Sequence, residues 1–168
     1  LRLMYGKNGL VFFSNGEDTT TIRNNVGSRQ GCAFGSFLYC LALQPVLLQL
    51  QQEFPDVLVL AYCDDINLIG EASRVVAAYK RCGQLLLNEM IQSEIRPDKT
   101  VVYSPYLSKE DLRVNHGLPC DIEQVQSRGI RVLGVPIGDT SFKVEFAKET
   151  VAKIEKDLAV IAHCPSLQ

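Results

Sequence analysis

Two adjacent aspartates, Asp64 and Asp65, lie between two apolar runs, and this arrangement limits the fold more than any other feature of the sequence. The residues before them read VLVLAY (57–62), and the residues after them read INLIG (66–70). A short continuous apolar run is typical of a strand that is buried on both faces. Because only a short turn separates the runs, we expect two antiparallel strands with the aspartates at the turn.

The rest of the sequence predicts short strands and three longer helices. Apolar residues recur at helical spacing over 37–54, 72–94 and 141–162. The predicted strands are a hairpin around Asn15-Gly16 and the runs VVY (101–103), DIEQVQ (121–126) and GIRVLGVPIG (129–138), each of these three runs taken as one strand. This order indicates an α+β domain in which helices pack on an antiparallel sheet.

Two of the predicted helices are amphipathic, and the first contains a proline. Pro45 should kink or break the first helix. The second helix is predicted to bury Val75, Val76, Tyr79, Cys82, Leu86 and Met90. The last helix is predicted to bury Phe142, Phe146, Val151, Ile154 and Leu158.

Composition and charge are those of an ordinary globular chain. The 168 residues carry a net charge of −2, so the charge of the whole chain does not by itself attract nucleic acid. The longest apolar stretch, 34–50, is interrupted by Gln44, Pro45 and Gln49, and no signal peptide is visible. We therefore expect no membrane association.

The cysteine pattern bears on the compartment in which the protein works. The six cysteines form no C-x-x-C pair, and several lie in apolar stretches; they are Cys32, Cys40, Cys63, Cys82, Cys120 and Cys164. This pattern predicts reduced, partly buried thiols rather than zinc ligands or disulfides. A reducing intracellular compartment follows, either nucleus or cytoplasm. The chain begins with Leu1 and soon enters a strand-like run, so we expect an N-terminal part to lie elsewhere.

Adjacent carboxylates at a tight turn repel each other, and a divalent cation is one way to offset that repulsion. Aspartate oxygens suit Mg²⁺ or Mn²⁺ rather than zinc, and Mg²⁺ commonly uses one or two carboxylates together with substrate phosphates. Two such ions, roughly 4 Å apart, can activate a 3′-hydroxyl and stabilise a leaving pyrophosphate. The simpler alternative is a solvated turn, since aspartate is a common turn residue.

Four motifs in this order resemble those of reverse transcriptases. Tyr62-Cys63-Asp64-Asp65 resembles the Y-x-D-D hairpin, and Gly27-Ser28-Arg29-Gln30-Gly31 resembles the G-x-x-Q-G loop upstream of it. PDKT (97–100) resembles the conserved-lysine segment, and LGVPIG (133–138) resembles the L-G-x-x-I-G stretch of non-LTR (LINE-like) retrotransposons. The resemblance covers most of the chain. It implies a partial reverse transcriptase domain over 1–168, with the palm in 1–138 and the start of the palm-to-thumb connection in 139–168.

The resemblance implies a fold, an activity and a set of partners. The fold would be a polymerase palm-like antiparallel sheet with packed helices. The activity would be RNA-directed DNA polymerisation, the transfer of dNTPs onto a primer 3′-hydroxyl. An RNA template, a DNA primer and Mg²⁺ or Mn²⁺ would take part.

The resemblance also implies a role for each matching residue. Asp64 would be a metal ligand, with Asp65 beside it as a weaker or auxiliary one. The template and incoming nucleotide would be contacted by Arg29, Gln30 and Gly31, and the primer terminus would lie next to Tyr62 and Cys63. Lys99 would approach the triphosphate as a general acid, and the primer backbone would be supported by Leu133, Gly134 and Val135. Simpler alternatives are a solvated lysine for Lys99, a hydrogen bond within its own loop for Gln30, and an ordinary strand for 133–138.

Two departures from the family pattern affect the expected activity. Cys32-Ala33 follows Gly31 where many relatives have Asp-Pro. The family also needs a further aspartate on a strand upstream of the Gln loop, and Asp18 is too close to that loop to fit. The fingers and this first catalytic strand would therefore be missing, and we expect the isolated chain to be catalytically silent and poorly soluble.

Three other functions remain open from the sequence. A non-catalytic descendant could keep the fold and bind nucleic acid or a protein partner. An unrelated metal-dependent phosphoryl hydrolase could use Asp64 and Asp65, although no nearby histidine or third acidic residue supports it. An RNA-templated RNA polymerase shares the Asp-Asp hairpin, but Tyr62 and the LGVPIG stretch favour the reverse transcriptase.

Overall fold

The computed structural model describes residues 9–14, 16, 18–24, 33–87 and 92–162. Its helices are α1 (Gly35–Glu53), α2 (Ala72–Leu86), α3 (Lys109–His116) and α4 (Thr140–Ala162), with a 3₁₀ turn at Pro97–Lys99. Its strands are β1 (Gly9–Ser14), β2 (Thr19–Asn24), β3 (Leu58–Tyr62), β4 (Asp65–Ile69), β5 (Val101–Tyr103), β6 (Gln124–Gln126), β7 (Gly129–Val132) and β8 (Val135–Gly138).

The strands pair two by two, and the α+β class is confirmed. β1 with β2, β3 with β4, and β7 with β8 form antiparallel hairpins, as the palm-like expectation requires. β5 and β6 pair in parallel. Parallel neighbours need a crossover, and helix α3 lies in the connection between these two strands.

Helix α3 was not predicted, although its boundaries carry a clear signal. Ser108 accepts a hydrogen bond from the Asp111 backbone N–H, and Asp111 accepts one from the Ser108 backbone N–H, which together form a capping box. Gly117 ends the helix in the left-handed conformation, with φ of 69°. The helix was missed because it is only eight residues long and has a single buried residue, Leu112.

Helix α2 lies between two hydrophobic clusters and contributes to both. One cluster joins α1, α2 and the start of β3; its buried members are Leu43, Val46, Leu50, Val57, Ala78, Cys82, Leu85 and Leu86. The other joins α2 to α3 and the loop that follows it, through Val76, Leu112, Leu118 and Ile122. Val75 and Tyr79 are partly buried against these clusters, so the predicted inner face is correct for the residues within the helix. Met90 lies outside the described residues.

The length predicted for α2 was wrong, since the helix ends at Leu86 rather than at residue 94. Ile95 packs against the first cluster, and its Cδ1 lies 3.7 Å from the position that a Cβ on Gly83 would occupy. Leu87 and residues 92–96 are not helical, and Ile95 lies beside the helix that precedes it. Tertiary packing therefore overrides the helical period of this segment.

Two further expectations are corrected by the structure. Pro45 was predicted to kink or break the first helix. The break does not occur, because α1 runs from Gly35 to Glu53 with Pro45 inside it, and the kink stays a prediction. The inner face predicted for α4 is largely exposed: Val151, Ile154 and Leu158 are each more than half exposed, and only Phe142 and Phe146 are partly covered. Among the described elements α4 packs mainly on β8, and no residue of the helix is fully buried.

Candidate active site at the β3–β4 hairpin

The paired aspartates lie at the tip of the β3–β4 hairpin. Tyr62 pairs with Asp65, so the two-residue turn is Cys63-Asp64, and Asp65 is already the first residue of β4. Cys63 has a φ of 53°, in the left-handed region that two-residue hairpin turns require. Both aspartates are exposed. The predicted antiparallel pairing around the aspartates is therefore confirmed.

The two faces of this hairpin differ in burial. On one face Val57 is fully buried, and Val59, Ile66 and Leu68 pack against the first cluster. Side chains alternate between faces along a strand. The other face carries Leu58, Leu60 and Tyr62, which are 51%, 48% and 65% exposed.

The prediction that β3 is buried on both faces was therefore wrong. Among the residues that the structure describes, nothing covers the face of Leu58, Leu60 and Tyr62, and no strand pairs with the other edge of β3. Asp65 lies directly across from Tyr62 and shares this open face. A carboxylate thus stands at the end of an exposed apolar surface.

The negative charges of the two aspartates help to raise the pKa values of side chains around the turn. The pKa of Tyr39 on α1 is raised, first by burial and then by the negative charge of Asp64. The pKa of Cys63 is raised, first by burial, then by Cys40, and further by Asp64 and Asp65. Within the part of the chain that the structure describes, no group of three or more His, Cys, Asp or Glu side chains is arranged to hold a metal.

Gln51 ties the hairpin to the end of α1. Its Nε2 donates to the carbonyl oxygens of Phe54 (3.2 Å) and Val57 (2.9 Å), and its Oε1 accepts a hydrogen bond from the Val59 N–H (3.2 Å). In the β3–β4 register the backbone N–H and C=O groups of Leu58 and Leu60 face β4. The backbone groups of Val57 and Val59 therefore face the open edge. The Gln51 amide therefore takes the place of a partner strand at the start of that edge.

Two arginines of α2 fix the end of α1 that leads into β3. Arg81 donates two hydrogen bonds to Glu53, at 2.6 and 2.9 Å, and Arg74 donates two to Asp56, at 2.6 and 2.8 Å. These contacts lower the pKa of Glu53 to about 2 and also lower the pKa of Asp56. Bidentate pairs of this kind fix orientation as well as distance. The two pairs therefore orient the segment from which β3 emerges.

Lys99 lies in a different part of the fold from the aspartates. It ends the 3₁₀ turn before β5, is exposed, and follows the ion pair between Arg96 and Asp98. β5 contacts β6 and β7, whereas the β3–β4 hairpin contacts α1 and α2. No ion pair within the described residues joins Lys99 to either aspartate.

Leu133, Gly134 and Val135 form the tip of the β7–β8 hairpin rather than the middle of one strand. Val132 pairs with Val135, and the turn residues Leu133 and Gly134 have φ values of 48° and 86°. Positive φ at both positions is what a type I′ hairpin turn requires. Leu133 and Val135 are both more than half exposed, so this tip is available for contact with a ligand.

The G-x-x-Q-G loop, with Arg29, Gln30 and Gly31, lies outside the described residues, and its predicted roles stay predictions. Conversely, Gln51 lies near the site but carried no sequence signal. It is one of several glutamines on α1. Its importance depends on hydrogen bonds to Val57 and Val59, which a linear pattern does not encode.

Comparisons with known proteins agree with the hairpin and its flanking motifs. The family model described as "Reverse transcriptase (RNA-dependent DNA polymerase)" matches residues 2–137. The "Retrotransposable element SLACS 132 kDa protein" of Trypanosoma brucei gambiense is 36% identical over 80 residues, an alignment that covers 45% of this chain and 7% of that relative. No solved structure matches.

Within the described residues, no helix is long and apolar enough to cross a membrane.

The relationship to retrotransposon proteins expected from the four motifs is supported by the similarity to the trypanosome element, and the family model spans most of the chain. The chain belongs to the reverse transcriptase (RNA-dependent DNA polymerase) family.

Proposed function

We propose that this chain forms the palm of an RNA-directed DNA polymerase of the non-LTR retrotransposon type. The palm would occupy 1–138, and 139–168 would begin the connection to the thumb. The observation that carries the proposal is the pair of exposed carboxylates at the tip of the β3–β4 hairpin, inside the region that the family model matches. The substrates would be dNTPs, with an RNA template and a DNA primer.

Asp64 and Asp65 suit a divalent ion of the magnesium type. Both are exposed aspartates with oxygen ligands only, and a site of one or two carboxylates completed by substrate phosphates is typical of Mg²⁺. When bound, Mg²⁺ or Mn²⁺ would favour loss of the proton of the primer 3′-hydroxyl and stabilise the leaving pyrophosphate. The contribution of the chain itself is to hold the two carboxylates at one end of an exposed face.

The surroundings of the hairpin support contact with a primer. Tyr62 is exposed and shares the face of Asp65, so its ring can pack against the terminal nucleotide of a bound primer. The exposed tip at Leu133 and Val135 would support the primer backbone. The family motifs add four residues to the proposed site, namely Arg29, Gln30, Gly31 and Lys99. Lys99 would act on the triphosphate of a nucleotide that extends from the β3–β4 hairpin to the 3₁₀ turn before β5.

Metal binding tests the proposal without requiring catalysis. Mn²⁺ added to the isotope-labelled chain should broaden the NMR signals of residues around the hairpin, those of Tyr62 and Ile66 first. Asp64→Asn and Asp65→Asn should each weaken this effect, and Asp157→Asn on the exposed α4 serves as the control. Equal broadening in all variants would contradict the assignment of the ligands.

Catalysis is tested by primer extension on an RNA template. We expect the 168-residue chain alone to give no product, and a longer protein that contains it to extend a primer in the presence of Mg²⁺. Extension by the isolated chain that is lost on Asp64→Ala would refute the predicted silence while supporting the active site. Primer–template binding that is unaffected by Asp64→Asn and never leads to extension would instead support the non-catalytic binding module.

The proposed compartment is intracellular and reducing. The four cysteines that the structure describes are free thiols, namely Cys40, Cys63, Cys82 and Cys120. A reducing nucleus or cytoplasm would maintain that state. Localisation of a tagged full-length protein is the direct measurement.

A further inference from the structure

Helix α4 carries two sets of apolar side chains on different sides. Phe142 lies against Gly129 of β7, and the guanidinium of Arg131 lies over the ring of Phe146. Both rings are partly covered by these contacts. At about 100° per residue, a second set lies on the opposite side of the helix. This set, called the outer stripe, consists of Val144, Ala147, Val151, Ile154, Leu158 and Ile161, all of them exposed.

The outer stripe has the spacing of a coiled coil. Its members follow one another in alternating steps of three and four residues, which is the a/d pattern of a heptad repeat. An a/d stripe is narrower than the apolar face of a helix that packs on a globular core, and it is the seam along which two helices pair. The stripe runs from 144 to 161, about 26 Å along the helix axis.

The sizes of these side chains suit an antiparallel pair of identical helices. In such a pair each a residue faces a d residue, so Ala147 would face Leu158 of the second copy, and Val151 would face Ile154 of the second copy. Each small side chain would then meet a large one. A parallel pair in register would set Ala147 against Ala147, which would leave a gap in that layer.

The charges beside the stripe favour the same orientation. An antiparallel two-fold pair brings each flank of the stripe against the same flank of the second copy. Lys148 and Glu155 lie on one flank, so each Lys148 would face Glu155 of the second copy, displaced by about 3 Å along the axis. A parallel pair would instead set Lys148 against Lys143 of the second copy. Among the described residues no ion pair uses Lys148 or Glu155, so both are available.

We propose that the outer stripe of α4 binds the same stripe of a second copy of this chain, as an antiparallel two-fold coiled coil. Such an interface is isologous and closes at two copies. The first turns of α4 are already held on β7 and β8, so pairing loses less conformational entropy than it would for a free helix. The proposal does not use Asp64 or Asp65, and a failure of the proposed polymerase activity leaves it intact.

Sedimentation velocity at a series of concentrations tests the proposal. The 168-residue chain carries Leu60→Lys in all samples, because this substitution should suppress association through β3. We expect an equilibrium between monomer and dimer. Ile154→Lys should abolish the dimer. Val160→Lys, at an exposed position of α4 outside the outer stripe, is the matched control and should keep it.

Charge reversal tests the orientation of the two helices. Lys148→Glu and Glu155→Lys should each raise the dissociation constant of the dimer by about tenfold, because attractive contacts become repulsive ones. An equimolar mixture of these two variants should restore the original affinity, since the facing flanks then carry opposite charges. A parallel pair predicts the reverse for Lys148→Glu, which would strengthen the dimer.

Below the dissociation constant all variants should unfold in urea as the Leu60→Lys chain does, since the replaced side chains are exposed. A monomer at every concentration, a dimer that ignores the charge reversals, or a tighter dimer with Lys148→Glu would overturn the proposal. So would a longer protein that stays monomeric while hydrogen exchange over 144–161 is slower than in the 168-residue chain. In that case another part of the same polymerase covers the outer stripe.

Discussion

At the scale of single residues, the Gln51 amide pairs with backbone groups on the edge of β3 that no described strand covers. It satisfies a carbonyl group and an N–H group on the outer edge of β3, and these two backbone groups are partly buried. A buried backbone group without a partner costs free energy comparable to a lost hydrogen bond. Gln51 therefore helps to hold the aspartate hairpin against α1, together with the first cluster and the two arginine–carboxylate pairs.

Replacing Gln51 tests this dependence. Gln51→Leu keeps a similar volume but removes three hydrogen bonds, so we expect the free energy of unfolding to fall by about 1–3 kcal/mol. Urea unfolding measures the change. Gln52→Leu, at the exposed neighbouring position, is the matched control and should change stability by less than about 0.5 kcal/mol. Equal effects of the two substitutions would show that the Gln51 contacts do not matter.

Replacing two glycines by alanine should change the free energy of unfolding in opposite directions. A Cβ on Gly129 would lie 2.3 Å from Phe142 Cδ1 and 2.7 Å from the Ile137 carbonyl oxygen. Gly129→Ala should therefore destabilise the chain by about 1–3 kcal/mol, since the backbone oxygen cannot move aside freely. Gly83, inside α2, has only an ordinary 3.7 Å neighbour, so Gly83→Ala should stabilise by about 0.5–1 kcal/mol. Thermal or urea unfolding of both variants checks the signs.

At the scale of elements, α1 and α2 are joined by the Arg81–Glu53 pair as well as by the first cluster, and Arg74 joins α2 to Asp56 in the turn after α1. Ser73 Oγ and His116 Nδ1, 2.7 Å apart, join α2 in turn to α3. Helix α2 therefore organises the whole described core, because both hydrophobic clusters and three polar links depend on it.

The pairs between α1 and α2 predict how stability depends on pH. The pKa of Glu53 is lowered from 4.5 to about 2 by its hydrogen bonds from Arg81 and Gln49. A carboxyl group with a lowered pKa in the folded state stabilises the fold above its ordinary pKa, and this contribution is lost as the pH falls through the folded-state value. Stability should therefore fall between pH 4.5 and 2, and Glu53→Gln should reduce the dependence in that window.

Urea midpoints measured at several pH values for the unmodified chain and for Glu53→Gln give the comparison. Glu155→Gln, on the exposed α4, is the control and should follow the unmodified chain. Because the Glu53–Arg81 pair is about one-third exposed, added salt should weaken the effect. A Glu53→Gln curve parallel to that of the unmodified chain would contradict the role of this pair.

At the scale of the whole molecule, the described chain exposes much of its apolar surface. Phe12 and Phe13 on β1, Leu48 on α1, Leu58 and Leu60 on β3, and Ile154 and Leu158 on α4 are each about half exposed or more. Exposed apolar side chains mark an interaction site or a tendency to aggregate where they form a contiguous patch, as Leu58 and Leu60 do on one face of β3. An open strand edge adds a second route to association.

The face of β3 should dominate this association. The Leu60 side chain points away from the core. Leu60→Lys should therefore leave the unfolding midpoint nearly unchanged and reduce light scattering of the purified chain. Leu48→Lys, on an exposed position of α1, controls for the general effect of added charge. If both substitutions reduce scattering equally, the association is a property of overall charge rather than of the β3 surface.

The sequence by itself determined the local features of the site. Alternation of apolar and turn residues predicted the antiparallel hairpin around Asp64 and Asp65, and the spacing of apolar residues predicted α1, the inner face of α2, and α4. The four ordered motifs indicated the family. The hairpin and the helices depend on residues close together in the chain, where backbone geometry fixes the period.

Only the tertiary structure decided which surfaces are covered and which distant side chains meet. The exposed face of β3, the early end of α2, the parallel pairing of β5 with β6, and the exposure of α4 all follow from how elements pack. The contacts of Gln51 with Val57 and Val59 have the same origin. Such contacts join residues that are remote in the chain, and their partners are selected by packing rather than by any local period.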